Sequence, residues 1–249
     1  MMKNIRLAGA ISLLTLTTII SCKRTLYHHP DDALTHYFIP LEVGKYAIYQ
    51  VDSLNFYYYG QLDTLTHYFV KDSVESSFVD NLGHTSWMVV RYITPISDPN
   101  GWTPSAGSIE FTENNLRFIK LAYPMTNGGS WNGNSYLPNA PYQDIFKFTA
   151  LSLNQWVYTY QNFNAPFTAG GTAYDSTVTI LQEDDSANVP IVIDTAFASR
   201  TYWSETYAKN IGLVYRHSII WEYQPPIPNS SQGGYKTGFE VTFTLLQHN

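Results

Sequence analysis

From Lys45 to the C-terminus the side chains alternate with a period of two, and this constrains the chain more than any other feature in it. Tyr46, Ile48 and Gln50 interleave with Ala47, Tyr49 and Val51, and Leu65, His67 and Phe69 with Thr66, Tyr68 and Val70. Near the end, Phe239, Val241, Phe243 and Leu245 interleave with Glu240, Thr242 and Thr244, while Trp87-Met88-Val89-Val90 reads as a buried run. Successive side chains of a strand point to opposite faces, and β-branched and aromatic residues suit a pleated, half-buried surface. Turn signals separate the runs: Asp80-Asn81-Leu82-Gly83, Asp98-Pro99-Asn100-Gly101 and Gln232-Gly233-Gly234. Ile109 and Phe111, then Asn114-Asn115, then Leu116 and Phe118 predict a hairpin, since Asn tolerates positive φ. After residue 22 no window of a dozen residues carries a helical period, although 142–156 and 203–209 leave room for a short helix. The expectation is an all-β fold: a single antiparallel β domain, either a curved sheet or a partly open β-barrel, with little helix.

Composition agrees and removes several classes. With 44% hydrophobic residues in 249, the chain is not disordered, and its one cysteine excludes a disulfide scaffold. Its net charge of −6, with basic residues scattered, argues against nucleic acid as a partner. The aromatic share of 16%, including 20 tyrosines, is well above ordinary usage.

Lys3 and Arg6 form a short basic region ahead of an almost unbroken apolar and small stretch at residues 7–20, which ends in Ile19-Ile20-Ser21-Cys22. Fourteen helical residues reach about 21 Å, short of a bilayer core of about 30 Å, so the segment is read as a signal peptide. Its ending resembles a bacterial lipobox, in which the final Cys is acylated; an ordinary signal peptide followed by an incidental Cys is the alternative. Cleavage before Cys22 leaves 228 residues and, with Lys3 and Arg6 gone, a net charge of −8. The resemblance implies three acyl chains on Cys22, and two already suffice for stable anchoring. Lys23 and Arg24 follow Cys22 where an acidic retention or export signal stands in some lipoproteins, so the expected location is the outer membrane, facing the periplasm. The expected organisation is a signal peptide over 1–21, a flexible tether over 22–36 and the β domain over 37–249. His28, His29, Asp31 and Asp32 lie in the tether, where no fixed spacing holds them in a metal-binding geometry.

An internal echo links Tyr37-Phe38-Ile39-Pro40-Leu41-Glu42-Val43-Gly44 with Ala122-Tyr123-Pro124-Met125-Thr126-Asn127-Gly128. Each places Gly four residues after Pro, a corner that feeds a strand, and the two copies are expected to open two half-sheets of one domain. Phe38-Ile39-Pro40-Leu41-x-x-Gly44, Trp131-Asn132-Gly133-Asn134 and the run from Tyr207-Ala208 through Gly212-Leu213-Val214-Tyr215 resemble uncharacterised lipoproteins of Gram-negative envelopes. That resemblance implies an envelope location and no particular activity.

Six of the twelve aspartates open an Asp-[Ser/Thr]-apolar triplet, against roughly 0.8 expected from random placement. The hydroxyl residues are Ser53, Thr64, Ser73, Ser176, Ser186 and Thr195. The triplet resembles the acceptor signal of a general O-glycosylation system used on exported proteins. The competing account is that Asp-Ser and Asp-Thr open turns ahead of a strand. Both place the hydroxyls near the surface.

Catalytic patterns are not met. Gly128-Gly129-Ser130-Trp131-Asn132 lacks the last Gly of a nucleophile elbow, and H-E-x-x-H, EF-hand, P-loop and C-x-x-C motifs do not occur. Glu110 with Glu113, or Asp184 with Asp185, has the residue types of a glycosidase pair, but their separation must come from the fold. His67 and His217 lie in strand-like stretches and are expected to be hydrogen-bonded structural residues. No enzyme activity, metal or cofactor is expected. Dense aromatics at Tyr57-Tyr58-Tyr59, Tyr158, Tyr160, Tyr202, Trp203 and Tyr207 suit half-buried sheet faces. They suit equally a wet cavity, a stacked sugar or a peptide. Three readings follow: an envelope lipoprotein holding an apolar small molecule or envelope protein in a curved sheet, a carbohydrate-binding module that takes a glycan, and a hydrolase. The first, which has a fold-level analogy in periplasmic lipid-carrier half-barrels, is the expected one.

Overall fold

A computed structural model describes residues 37–57, 62–81, 83–109, 112–113, 116–141, 152–229 and 231–249. The described chain is all-β, with a 3-10 turn at Leu153–Gln155. Its strands are β1 (Tyr46–Tyr57), β2 (Leu62–Val79), β3 (Thr85–Pro95), β4 (Thr103–Ile109), β5 (Thr112–Glu113) and β6 (Leu116–Arg117). They continue with β7 (Ser130–Trp131), β8 (Tyr158–Ala169), β9 (Thr172–Ala187), β10 (Ala198–Ala208), β11 (Gly212–Gln224) and β12 (Tyr235–His248). Ten of them form one antiparallel sheet in the order β4-β3-β2-β1-β12-β11-β10-β9-β8-β7, and β5 pairs with β6 as the small hairpin expected around Asn114-Asn115.

This order is two meanders joined where the first and last long strands meet. β1 runs out to β4 on one side and β12 runs back to β7 on the other, with β1 and β12 paired from Ala47↔His248 to Phe56↔Gly238. The seam is closed at one end by Asn249, whose Oδ1 accepts from the Tyr46 amide at 2.8 Å. The two Pro-to-Gly corners open these two meanders. Gly44, at φ +92°, donates its amide to the Val74 carbonyl on β2, and Gly128, at φ +79°, donates to the Tyr160 carbonyl on β8. Each corner is thus pinned to the strand that will pair with the one it precedes.

The sheet is curled. Register irregularities interrupt the β1–β12, β2–β3, β3–β4, β8–β9, β9–β10 and β10–β11 pairings, and an extra residue in one strand bends it and increases its twist. On β8, Asn162 and Asn164 take positive φ, at 51° and 57°, where the register slips. The Arg91 guanidinium on β3 lies 5.6 Å from the Phe243 ring centroid on β12, three strands away and about 14 Å off in a flat sheet. At Gly238, with φ +129°, a Cβ would run into the Ile220 carbonyl and the Trp221 Cα, so β12 approaches β11 where only glycine fits.

Alternation decides which side is buried. On β11, Val214, Arg216, Ser218 and Ile220 are buried while Leu213, Tyr215, His217 and Ile219 are half-buried. The inner face of β8–β11 is covered by residues of 118–141 and 152–156, whose Leu121, Met125, Leu137, Leu153 and Trp156 join Tyr158, Tyr160, Val178 and Ile180 in one core. A second cluster, with Tyr49, Val51, Val70, Val214, Phe243 and Leu245, lies on β1, β2, β11 and β12.

Two expectations need correction here. Residues 203–209 belong to β10 and its following turn and form no helix. Ser204 to Ala208 are buried without a break, so both faces of this end of β10 are covered and no apolar–polar alternation marks the strand in sequence. Trp87 to Val90 is half-buried throughout, because β3 is one strand from the sheet edge and Val89 faces an open cavity. The second segment where a helix had room, 142–156, lies outside the described residues up to 151 and ends in the 3-10 turn.

Candidate functional site

A cavity of about 210 Å³ opens on the inner face of the curl, between the two meanders. Ile39, Leu41, Val74, Val89, Ile211 and Leu213 are among its apolar walls. Tyr49, Asp72, Arg91, Lys120, Tyr207 and Arg216 bring polar atoms to it. The strands deliver these groups by register. Glu205 on β10 stands opposite Arg216 on β11, which stands opposite Phe243 on β12. On the other side Arg91 on β3 stands opposite Asp72 on β2. Lys120 and Phe118 come from the covering stretch, where the Ile119 amide is fixed to the Gly133 carbonyl at 2.8 Å.

Glu205 is the anchor of the polar floor and has no solvent exposure. Its Oε1 accepts from Lys120 Nζ at 2.8 Å and from Arg216 Nε at 2.9 Å, and its Oε2 accepts from the Tyr207 hydroxyl at 2.7 Å. Burial alone raises the Glu205 pKa, but Lys120 and Arg216 outweigh it and hold the carboxyl below its ordinary range. Burial and then the Glu205 charge push the Tyr207 hydroxyl well up, so it remains a donor. Tyr49 donates to the Leu213 carbonyl at 3.1 Å, and burial followed by the Asp72 charge raises its pKa. Arg91 grips Asp72 with two parallel bonds, Nε to Oδ1 and the second nitrogen to Oδ2, both at 2.8 Å. Arg216 and Arg91 both sit on the Phe243 ring, 4.9 and 5.6 Å from its centroid.

Of the residues singled out from sequence, Tyr207 and the motif residues Ile39, Pro40, Leu41, Gly212 and Leu213 line this cavity, and the others fall elsewhere. Cys22, His28, His29, Asp31, Asp32, Tyr58, Tyr59 and Glu110 lie outside the described residues. Of the six triplet hydroxyls, Thr64, Ser186 and Thr195 are exposed, and Ser73 and Ser176 are half-buried. Ser53 is buried, at 7% exposure, in the middle of β1, so the expectation that all six hydroxyls lie near the surface fails there. The turn-opening account fails more widely. Five of the six lie within strands, and Thr195 alone stands in a turn.

His67 and His217 are hydrogen-bonded strand residues, with Nδ1 of His67 2.6 Å from Asp52 and Nε2 of His217 2.9 Å from Glu240. Asp184 is engaged by Arg200 rather than converging with Asp185 on a cleft. Ser130 opens the two-residue β7 and is exposed, with no helix following it. The tyrosines of the core go beyond half-burial. Tyr158 and Tyr160 are 0% and 1% exposed, with their hydroxyls on Asn134 Oδ1 and the Ala122 carbonyl, both at 2.7 Å.

Sequence reasoning missed the charged residues gathered at the cavity, Arg91, Lys120, Glu205 and Arg216. A signal existed: Arg216 occupies a period-two position shared with Val214 and Ile220, so a charge sits on an apolar strand face in a chain with only 14% charged residues. Comparison of the chain with known protein families and with curated proteins finds no match.

Proposed function

We propose that this chain is a lipid-anchored envelope lipoprotein of the outer membrane, facing the periplasm, that holds an apolar small molecule in its curled sheet and has no catalytic role. The observation that carries the reading is the inner-face cavity, with its aliphatic walls and an ion-paired floor behind them. Aliphatic walls gain from covering apolar ligand surface at about 25 cal/mol per Å², while a few fixed polar groups orient it. The signal segment at residues 7–20 and Cys22 support the anchor. A glycan-binding surface is disfavoured: none of the six tryptophans is exposed, and the Tyr202 and Tyr215 rings are each inclined by about 60° to the His217 ring rather than coplanar with it.

The test is native mass spectrometry of the full protein extracted gently from its own membranes. The expected spectrum begins at Cys22, carries three acyl chains and shows a further non-covalent apolar adduct. A chain without acyl groups removes the anchor, and an adduct-free chain that also takes up no added apolar molecule removes the carrier role.

A further inference from the structure

We infer that the inner face of the sheet binds an internal water at Gln182, Trp203 and Ser218, two positions along the strands from Glu205 and Arg216. The site is distinct from the cavity and does not depend on the carrier role. Register points to it first. Trp203 on β10 stands directly opposite Ser218 on β11, on the same face as the Glu205–Arg216 pair. On β9, Glu183 stands opposite Trp203 and Leu181 opposite Ser204, which leaves Gln182 as the extra residue of a bulge beside Trp203. Val178, Ile180 and Gln182 are buried and alternate with half-buried Thr179, Leu181 and Glu183, so Gln182 shares the inner face with the core residues Val178 and Ile180. The three side chains form one row across three adjacent strands.

Every member of that row carries a buried polar atom without a protein partner. Among the described residues, five buried side-chain nitrogen or oxygen atoms make no hydrogen bond, and three of them are Gln182 Nε2, Trp203 Nε1 and Ser218 Oγ. Gln182 and Ser218 are each 2% exposed, so bulk water does not reach them. The rings of Trp156 and Phe239 stand against Trp203, with centroids 5.7 and 6.3 Å away, and offer its N–H no oxygen. An unpaired buried polar group is costly, and three that meet in register share one remedy.

Chemistry identifies the guest. Gln182 Nε2 and Trp203 Nε1 can only donate, whereas the Ser218 hydroxyl donates or accepts. The guest must therefore accept from two N–H groups, which rules out a metal cation, and the row itself holds no charge to balance an anion. Water meets the requirement with two lone pairs and two hydrogens, and a buried water typically makes about three such bonds.

The test pairs a crystal structure of the full chain, at a resolution that shows ordered water, with denaturant unfolding of Ser218→Ala. The expected density is an isolated oxygen within about 3.2 Å of Gln182 Nε2, Trp203 Nε1 and Ser218 Oγ. Ser218→Ala is expected to raise the unfolding equilibrium constant about five-fold, because the water loses one of its bonds. A dry row gives the other sign: removing a hydroxyl that bonds to nothing leaves the constant unchanged or lowers it. No density at that place, a Gln182 amide turned onto a protein carbonyl, or a Ser218→Ala chain as stable as the native one overturns the inference.

Discussion

Glu205 and Arg216 face one another across β10 and β11, joined at 2.9 Å, at positions whose neighbours on the same face are largely apolar. The pair is buried, and Lys120 closes on it from a stretch 85 residues earlier in the chain. It therefore ties the covering segment to the sheet as well as β10 to β11.

Replacing Glu205 with Gln keeps the shape and removes the charge on which two buried cations depend. The expected cost is about 3–5 kcal/mol, the usual penalty for leaving a buried charge without its partner. Denaturant unfolding of the two proteins measures it, and a difference below about 1 kcal/mol would mean the pair is not buried as described.

The same carboxyl sets an acid limit. Its folded pKa lies below the ordinary value, so its stabilisation is fully present above about pH 4.3, the unfolded value, and is lost as pH falls through the lower folded one. The gap between native and Glu205→Gln unfolding free energies is expected to stay constant from neutral pH to about 5 and to narrow below about 4. A gap that narrowed on raising the pH instead would contradict the assignment of an ionised Glu205.

At the alkaline end Tyr160 is the clearest marker, its hydroxyl pushed up to about 12 by burial against the ordinary 10.0. A raised acid contributes stability below its unfolded pKa and loses it as pH climbs through the folded one, here between about 10 and 12. Tyr160→Phe forfeits the bonds with Ala122, costing about 1 kcal/mol at neutral pH, and flattens part of the alkaline decline. Phenolate absorbance against pH, read beside unfolding, separates the two effects.

Gly238 tests the curl directly. Gly238→Ala places a Cβ against the Ile220 carbonyl and the Trp221 backbone at φ +129°, and is expected to destabilise by about 2 kcal/mol or more. Gly233→Ala, in the connection just before β12 and with nothing within 4 Å, is expected to stay within about 0.5 kcal/mol. Similar melting of both variants would argue that β12 and β11 do not approach so closely.

If the Asp-Ser/Thr triplets carry glycans, occupancy should follow exposure. Peptide mapping of protein from its own host is expected to find sugar at Thr64, Ser186 and Thr195 and none at Ser53, whose hydroxyl accepts from Asn55 at 2.9 Å inside β1. A modified Ser53 in folded protein would contradict its burial.

The alternation from Lys45 onward determined that this is an antiparallel β chain, and Gly, Pro and Asn marked its turns, because strand pleat and backbone φ are properties of adjacent residues. Even the two Pro-to-Gly corners at 40–44 and 124–128 could be recognised as the openings of two meanders. The two-sided burial that hid the end of β10 was illegible, since it depends on what the rest of the chain lays over each face of the sheet. The site was illegible for a related reason. Glu205 meets Lys120 across 85 residues, and Tyr46 meets Asn249 across 203. Arg91 reaches Phe243 only because the sheet curls. Period two told which residues share a face of one strand. Only tertiary structure decided which faces close around the same space, because that depends on strand order and curvature summed over the whole sheet.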